Sequence, residues 1–315
     1  MKIEVRRYSP ELAGDWANVI AYAKNAVFLF ERNFIEYHGD RFTEMSAIAY
    51  VNDKPVALMP AAFDSESGEV ISHPGLTFGG VVLKRELRGD AAIAVIEAIL
   101  DALRSWGATS CTVKLLPQVF ANYPAAELDY VLWRRRFDVV RRDLSSILPL
   151  HDALPFNTSK NQSVRKAKKA GLSIIEASVT EFHALLEAVL LEQHGVQPVH
   201  TRSELDLLQG LFPSKIFVRA ACQGDSLLAA TLVFNYGHVW HTQYLASSSE
   251  GRNLGALDLV INEIKKEALA SGASYLSFGV STESAGQVLN EGLLWQKESY
   301  GARSITHDFM KGHIS

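Results

Sequence analysis

Two stretches of the chain repeat one order of predicted elements, and this repetition constrains the fold more than any other feature. Residues 50–63 predict a hairpin, and residues 87–115 then predict a helix followed by a strand. Residues 217–234 and 254–279 give the same order in the second half. The sequence therefore indicates two copies of one α/β unit, with chance similarity between two α/β segments as the alternative.

The repeated helix is marked in each copy by apolar residues at three-to-four spacing. Each helix is expected to end at a glycine, Gly107 or Gly272, before a short alternating strand. The apolar residues are Ile93, Ile96, Ile99, Leu100 and Leu103 in the first copy, and Leu257, Val260, Ile261, Ile264 and Leu269 in the second. A polar, basic stretch at 156–172 precedes a predicted helix at 179–195, so we expect two domains, 1–150 and 151–315.

Composition excludes several classes of protein. With 315 residues and 48% hydrophobic content, the chain can build two ordinary cores. No apolar run approaches the roughly 20 residues that cross a bilayer, and the first residues lack the apolar segment of a secretory signal. Cys111 and Cys222 lie in apolar stretches, which favours buried free thiols and a cytoplasmic location. The net charge of −4 gives no global attraction for polyanions.

Two motifs resemble the FemAB-like branch of the GNAT acyltransferase superfamily. GLLWQKESYG, at 292–301, is similar to that family's pattern of a lysine between aromatic residues and glycines, and SVRKAKKAG, at 163–171, is similar to its entry to the second domain. The resemblance implies an α/β (α+β) fold of two tandem GNAT-like domains, each a mixed, mostly antiparallel sheet flanked by helices. It also implies an acceptor side in the first domain and a donor side in the second.

The donor site is expected at 247–258, where a glycine-containing turn opens a helix. Free backbone N–H groups and the helix dipole favour a pyrophosphate at such a turn. Arg252, Asn253, Gly255 and Ala256 are the predicted cofactor-binding residues, and the resemblance adds Asn290. A helix start capped by Ser249 or Asn253 is the structural alternative.

Three residues are candidates for the chemistry. Lys297, in an apolar and aromatic setting, is predicted to offset negative charge on a ligand or an oxyanion, although a surface lysine beside Glu298 is the alternative. His241, on the strand leading to the donor turn, is the predicted base, unless it is a core histidine. Glu283 either faces the site or caps a helix.

Substrate contacts are predicted in both halves. His73 and Thr77 lie in SHPGLTFGG, whose glycines let backbone approach a ligand, and the alternative is a bulged strand edge. His194 and His200 flank a glycine and a proline after a helix, and Tyr244 follows the candidate base. No metal site is predicted, because no His-Glu-x-x-His or paired-cysteine motif occurs.

The sequence thus predicts an acyltransferase that uses acetyl-CoA or another acyl-CoA as co-substrate and acylates an amine. The resemblance favours an amino sugar or a cell-envelope glycan precursor as the acceptor. Basic runs at 133–143 and 160–171 leave an aminoacyl-tRNA donor open. A noncatalytic binding module of the same fold is the third reading.

Overall fold

The chain forms two compact units in a computed structural model that describes residues 1–314, except for the side chain of His194. The first unit contains Met1–Asp143, Ser284–Gln287 and the end of the chain from Thr306. The second contains Leu144–Glu283 and Val288–Ile305. The sequence predicts domains at 1–150 and 151–315, and the first compact unit ends at Asp143 and resumes at Thr306, within the final strand.

The described part of the first unit before the division contains four α-helices and several short strands. In chain order its elements are β1 (Ile3–Arg7), α1 (Ala13–Ala21), α2 (Arg32–Glu36), β2 (Thr43–Glu44), β3 (Ala47–Val51), β4 (Lys54–Met59), β5 (Ala62–Asp64), β6 (Glu69–Ile71), β7 (Val82–Leu83), α3 (Gly89–Ser105), β8 (Ser110–Lys114), α4 (Glu127–Arg134) and β9 (Asp138–Pro149), which continues into the second unit.

The second unit follows the same order with longer strands. Its elements are α5 (Thr158–Lys169), β10 (Ser173–Ala177), α6 (Val179–His194), α7 (Arg202–Leu211), β11 (Ile216–Gln223), β12 (Ser226–Asn235), β13 (Val239–Ser247), α8 (Ser249–Leu254), α9 (Ala256–Ala270), β14 (Tyr275–Val280), β15 (Thr282–Glu283), β16 (Val288–Leu289), α10 (Glu291–Glu298) and β17 (Arg303–His313), whose last residues belong to the first unit.

Sheets in the first unit pack on one side against α3. One sheet has the order β1-β3-β4-β7, and a second group of strands runs β17-β8-β6-β5-β2, with β6 parallel to β8. On α3, Ile96, Ile99, Leu100 and Leu103 are buried in this core and Ile93 is partly buried, on the face that the three-to-four spacing predicts.

The sheet of the second unit has the order β10-β11-β12-β13-β14-β9. Its pairs are antiparallel except for β13 and β14, which run parallel and pair only at 239–241 with 275–277. After His241 no residue of β13 pairs with a residue of β14, so a gap opens between the carboxyl ends of the two strands. Helices α5 and α9 pack on one face of this sheet around Leu148, Trp240 and Leu276.

The equivalent gap in the first unit is filled by the chain itself. Residues 72–81 lie between β6 and β7, and Gly79 N–H donates to Lys114 O at 2.7 Å. The Lys114 ammonium donates to the carbonyls of Pro74 and Leu76 at 2.8 and 2.7 Å. The cavity left beside Gly79 and Leu115 has about 10 Å³, too little for a ligand. In the second unit, the pairing of β12 with β13 shifts by a single residue at Gln243.

The fold class expected from the sequence is confirmed, as are both hairpins, both repeated helices and the helix at 179–195. The stretch at 156–172 was treated as a polar boundary, but it is mostly helix α5, capped by Asn157. Among the described residues no helix is long and apolar enough to cross a membrane. Cys111 and Cys222 are buried free thiols.

Candidate functional site

A cavity of about 360 Å³ lies in the second unit, at the gap between β13 and β14. Both strands, the α8–α9 turn and helices α5, α6 and α10 contribute side chains to it. Its lining residues are Lys160, Val189, Gln193, Leu245, Ser247, Gly251, Arg252, Gly255, Leu257, Asp258, Phe278, Leu293, Gln296, Lys297 and Tyr300. The volume is within the usual range for small-ligand sites.

Lys297 is buried at one wall of this cavity, with 4% of its surface exposed. Its ammonium donates to the carbonyls of Gly279 and Val280, at 2.9 and 2.5 Å, where β14 ends. An ammonium has three N–H groups, so one remains for a ligand. Burial lowers the pKa of Lys297 to about 8, and the group is therefore mostly cationic at neutral pH.

Opposite charges meet at the start of α9. Asp258 accepts hydrogen bonds from the Lys160 ammonium, at 2.8 Å, and from the Tyr300 hydroxyl, at 2.5 Å. Burial and the neighbouring carboxylate hold the pKa of Tyr300 well above its ordinary value. Lys160 is thus tied to Asp258, and the lining as a whole carries three cationic side chains against one carboxylate. The cavity favours an anionic ligand.

The α8–α9 turn supplies backbone to the same cavity. Gly255 adopts φ +76°, and no side chain caps the first N–H groups of α9. A Cβ at Gly255 would lie 2.7 Å from the Ser163 carbonyl oxygen, so α5 packs directly on this turn. Arg252 is exposed, lines the cavity and donates to Ser247 O at 2.9 Å.

Of the four cofactor residues predicted in this turn, Arg252 and Gly255 line the cavity. Asn253 is exposed and lies outside the lining, and Ala256 is buried in the core. The N–H groups of Gly251 and Arg252 bond to the side chain and the carbonyl of Ser248. The available donors are therefore those at the start of α9, rather than those of α8.

His241 lies beside Lys297 but outside the cavity lining. Its Nδ1 is 3.0 Å from the Ser277 hydroxyl, and Ser277 faces away from the core that contains Leu276. A methyl group on Gly279 would lie 3.2 Å from His241 Cε1, so the imidazole packs against the residue whose carbonyl accepts from the Lys297 ammonium. Burial, and then the positive charge of Lys297, lower the pKa of His241 to about 4.

Glu283 and Asn290 form a local structure outside the lining residues. The Asn290 side chain accepts from Leu293 N–H at 2.9 Å, which caps α10, and its amide donates to Glu283 at 2.7 Å. Glu283 is exposed. Asn290 is therefore the cap of α10, and Glu283 holds the amide of that cap without capping the helix itself.

Two of the predicted substrate residues are in contact with each other. His200 Nδ1 lies 2.5 Å from the Tyr244 hydroxyl, and the His200 carbonyl is 3.2 Å from His183 Nε2. Burial raises the pKa of Tyr244 to about 12, so the hydroxyl stays protonated. Neither residue lines the cavity. His194 ends α6, and its side chain lies outside the described residues.

His73 and Thr77 belong to the segment that fills the first unit's gap. His73 is buried at φ +62°, 5.4 Å from His38 between ring centroids, and burial lowers its pKa to about 3. Thr77 is exposed. The structure thus brings neither residue to the second unit's cavity lining.

Sequence reasoning missed Lys160, Asp258 and Tyr300, which form the polar wall of the cavity. Lys160 stood inside a basic run, and Asp258 and Tyr300 were read only as parts of a helix start and a motif. Their partnership joins positions 98 and 42 residues apart, so no local pattern reveals it. Among the described residues no group of His, Cys, Asp or Glu could hold a metal ion.

The two basic runs differ in how their charges are used. In the run at 133–143 four of the five arginines form ion pairs: Arg134 and Arg135 with Glu97, Arg141 with Asp143, and Arg142 with Asp308. The fifth, Arg136, is exposed and forms no ion pair with any described carboxylate. On α5 the exposed Arg165, Lys166, Lys168 and Lys169 form no ion pair with any described carboxylate. Among the described residues, the second run therefore offers four unpaired cations and the first run offers one.

Comparison with known proteins shows the fold. FemX matches with a TM-score of 0.69 at 11% identity, over 98% of this chain and 96% of that one. L-PGS from Bacillus licheniformis matches with 0.60 at 13% identity, over 97% and 92%. A tandem GNAT protein from the clavulanic acid biosynthesis pathway matches with 0.52 at 12% identity, over 100% and 99%. No protein-family model and no curated protein matches the sequence.

The chain therefore has the fold of FemX and of tandem GNAT proteins. Fold alone does not define a reaction, so function has to be argued from the cavity.

Proposed function

We propose that the protein is an acyltransferase whose second unit holds an acyl-CoA in the cavity and passes the acyl group to an amine. The observation that carries this proposal is the buried Lys297 ammonium, fixed by two carbonyls at the mouth of the β13–β14 gap with one N–H left over. A cation held in this way stabilises negative charge that forms on a carbonyl oxygen.

The phosphates of the donor would bind where positive charge and free N–H groups converge. Arg252, Lys160 and the uncapped start of α9 lie on the same cavity. This supports an anionic donor such as an acyl-CoA, because a pyrophosphate favours a helix N-terminus flanked by cations. The filled gap of the first unit supports a single donor site, in the second unit.

In the reaction we propose, the amine nitrogen attacks the thioester carbonyl carbon and a C–N bond forms. The carbonyl oxygen becomes an oxyanion beside Lys297, and the C–S bond then breaks to release CoA as a thiolate that takes up a proton. The amine also loses a proton, and we assign its acceptance, through water, to neutral His241. A pKa of about 4 keeps this imidazole neutral above that pH, but makes it a weak base that passes the proton on.

For the acceptor we propose a small-molecule amine, such as an amino sugar or a glycan precursor of the cell envelope, used in the cytoplasm. FemX and the tandem GNAT protein share the fold, and the buried free thiols fit a reducing compartment. The support for this acceptor is analogy of fold, and the support for the donor is the cavity.

A turnover assay tests the proposal. Release of free CoA thiol would be followed with acetyl-CoA and a panel of amino sugars, amino acids and diamines. We expect amine-dependent thiol release that falls by about 10²–10³ in kcat for Lys297→Met, as for loss of one oxyanion donor. Lys169→Met, on the exposed face of α5, is the matched control and should retain full activity. Equal turnover in Lys297→Met and wild type would contradict the assigned role, and donor binding without turnover on any amine would favour the noncatalytic module.

A second donor is supported by one specific observation, the four unpaired cations on α5. An aminoacyl-tRNA could lay its phosphate backbone on this helix, with the aminoacyl end in the cavity. The test is a filter-binding titration with aminoacyl-tRNA at two salt concentrations. If tRNA is the donor, Lys166→Ala with Lys169→Ala weakens binding and reduces its salt slope, while acyl-CoA gives no turnover. Salt-independent or undetectable binding rejects this candidate.

A further inference from the structure

Several apolar side chains line the cavity, and none of them takes part in the hydrogen bonds of the charged groups, including those of Lys297. Val189, Leu245, Leu257, Phe278 and Leu293 contribute apolar surface from five different elements of the second unit. Leu245, Leu257 and Leu293 are only half-buried although they line a cavity, so part of each side chain faces its interior. Apolar surface left uncovered inside a site favours an apolar ligand group.

Phe278 lies on this apolar surface and is the residue before Gly279, which contacts the Lys297 ammonium. Phe278 stacks on Tyr300 with ring centroids 5.6 Å apart and an interplanar angle of 16°, which fixes its orientation. It directly precedes Gly279, whose carbonyl holds the Lys297 ammonium. Phe278 and Lys297 line the same cavity, so a ligand carbonyl at that ammonium can direct its substituent toward the Phe278 ring.

The charged side of the cavity is occupied by other contacts. Lys160, Asp258 and the Tyr300 hydroxyl are bound to one another, and Arg252 is held by Ser247 O. Lys160 and Arg252 have further N–H groups that suit the phosphates of a donor, and the leucine and phenylalanine surface is left for its acyl end.

We propose that the donor's acyl group is a hydrophobic chain of several carbons, held by Leu245, Phe278 and Leu293, rather than an acetyl group. This inference rests on the proposed use of acyl-CoA and specifies which acyl-CoA. An acetyl group would leave most of this apolar surface, which comes from five elements, without a partner.

Calorimetric titration of the full chain with free CoA and with acetyl-, butyryl-, hexanoyl- and octanoyl-CoA tests the inference. Each buried methylene contributes about 0.8 kcal/mol, so Kd should fall about fourfold for each carbon added until the cavity is full. Longer chains should then give no further gain.

Two opposite variants at one position exclude misfolding as an explanation. Leu293→Phe should move the tightest-binding chain to a shorter length, and Leu293→Ala should move it to a longer one. Leu294 is the matched control, since it is the next residue of α10, is half-buried and does not line the cavity. Leu294→Phe and Leu294→Ala should leave the optimum where it is in wild type.

The outcomes separate this inference from the proposed function. Equal affinity for free CoA and for every acyl-CoA would overturn the hydrophobic acyl chain and retain the CoA site. Tightest binding of acetyl-CoA would do the same. Absence of binding by all five compounds would overturn both.

Discussion

At the scale of single residues, Lys297 is defined by the cost of burying a charge. Its ammonium is held by the Gly279 and Val280 carbonyls without a carboxylate, so burial lowers its pKa to about 8. A lysine in the same motif on the protein surface would keep an ordinary pKa of about 10.4. The buried position therefore makes the charge sensitive to pH in a range where enzymes are assayed.

The pKa of Lys297 predicts the alkaline limb of the activity profile. The cationic form is the one that stabilises an oxyanion, so kcat should fall as pH rises above about 8. Lys297→Arg keeps its charge throughout this range, because arginine does not lose its proton, and should remove the limb even if kcat is lower. The measurement is kcat with saturating substrates from pH 6 to 10. If kcat of the Lys297→Arg variant falls above pH 8 as it does in wild type, a group other than Lys297 is responsible for the fall.

At the scale of elements, the contact between α5 and the α8–α9 turn shapes the cavity. Gly255 allows the Ser163 carbonyl of α5 to approach within 2.7 Å of the place where a Cβ would stand, and its φ of +76° suits glycine. The same contact brings Lys160, from the first turn of α5, to Asp258 in the first turn of α9. The packing of two helices thus creates the polar wall.

Replacing Gly255 should separate these two helices. Gly255→Ala combines a left-handed φ with the clash against Ser163, and we expect a loss of about 2–4 kcal/mol in the free energy of unfolding. Gly272→Ala is the control, because Gly272 also has a left-handed φ, +84°, but has nothing within 4 Å of its added methyl. That change should cost only about 1–2 kcal/mol. Urea unfolding of both variants measures the difference, and equal losses would contradict close helix packing.

The sequence predicts a helix correctly where the buried residues of that helix recur at a regular spacing. Helices α3 and α9 show a continuous apolar stripe, so the spacing of Ile96, Ile99 and Ile264 was sufficient. Helix α5 buries only Val164 and Ala167, so its polar composition resembled a linker. Helix α5 forms a wall of the cavity because of its tertiary packing, which cannot be inferred from its composition.

At the scale of the whole molecule, buried neutral histidines link stability to pH. Burial lowers the pKa of His73 to about 3 and the pKa values of His241 and His307 to about 4. In the unfolded chain these imidazoles have an ordinary pKa near 6.5. The unfolded state therefore binds more protons below that pH, and stability must fall as pH decreases.

We expect the free energy of unfolding to change little between about pH 6.5 and 7 and to decrease steadily from pH 6.5 toward pH 4. At pH 5 each of these histidines should contribute a loss on the order of 1–2 kcal/mol. His307→Phe should reduce the slope between pH 6.5 and 4, while His151→Phe should not, because His151 is exposed. Urea unfolding across this range gives the slope, and a pH-independent free energy would show that the imidazoles are already charged in the folded protein.

The fold of the whole molecule was more predictable than its site. The repeated order of elements was visible because each copy conserves its own periodicity, and the motif around Lys297 indicated the superfamily. Of the predicted site residues, Lys297, Arg252 and Gly255 line one cavity. Asn290 instead caps α10, Glu283 bonds to the amide of Asn290, and His73 belongs to the segment that fills the first unit's gap. A local motif identifies a side chain, but its partners are set by packing over long sequence separations.

The central claim, that the second unit's cavity is the acyl-donor site, is tested most directly by calorimetric titration of hexanoyl-CoA into wild type, Arg252→Ala and Arg165→Ala. Both arginines are exposed, but only Arg252 lines the cavity. We predict one saturable site in wild type, at least tenfold weaker binding in Arg252→Ala from loss of a charged phosphate contact, and unchanged binding in Arg165→Ala. No binding in wild type, or binding that Arg252→Ala leaves intact, would contradict the claim.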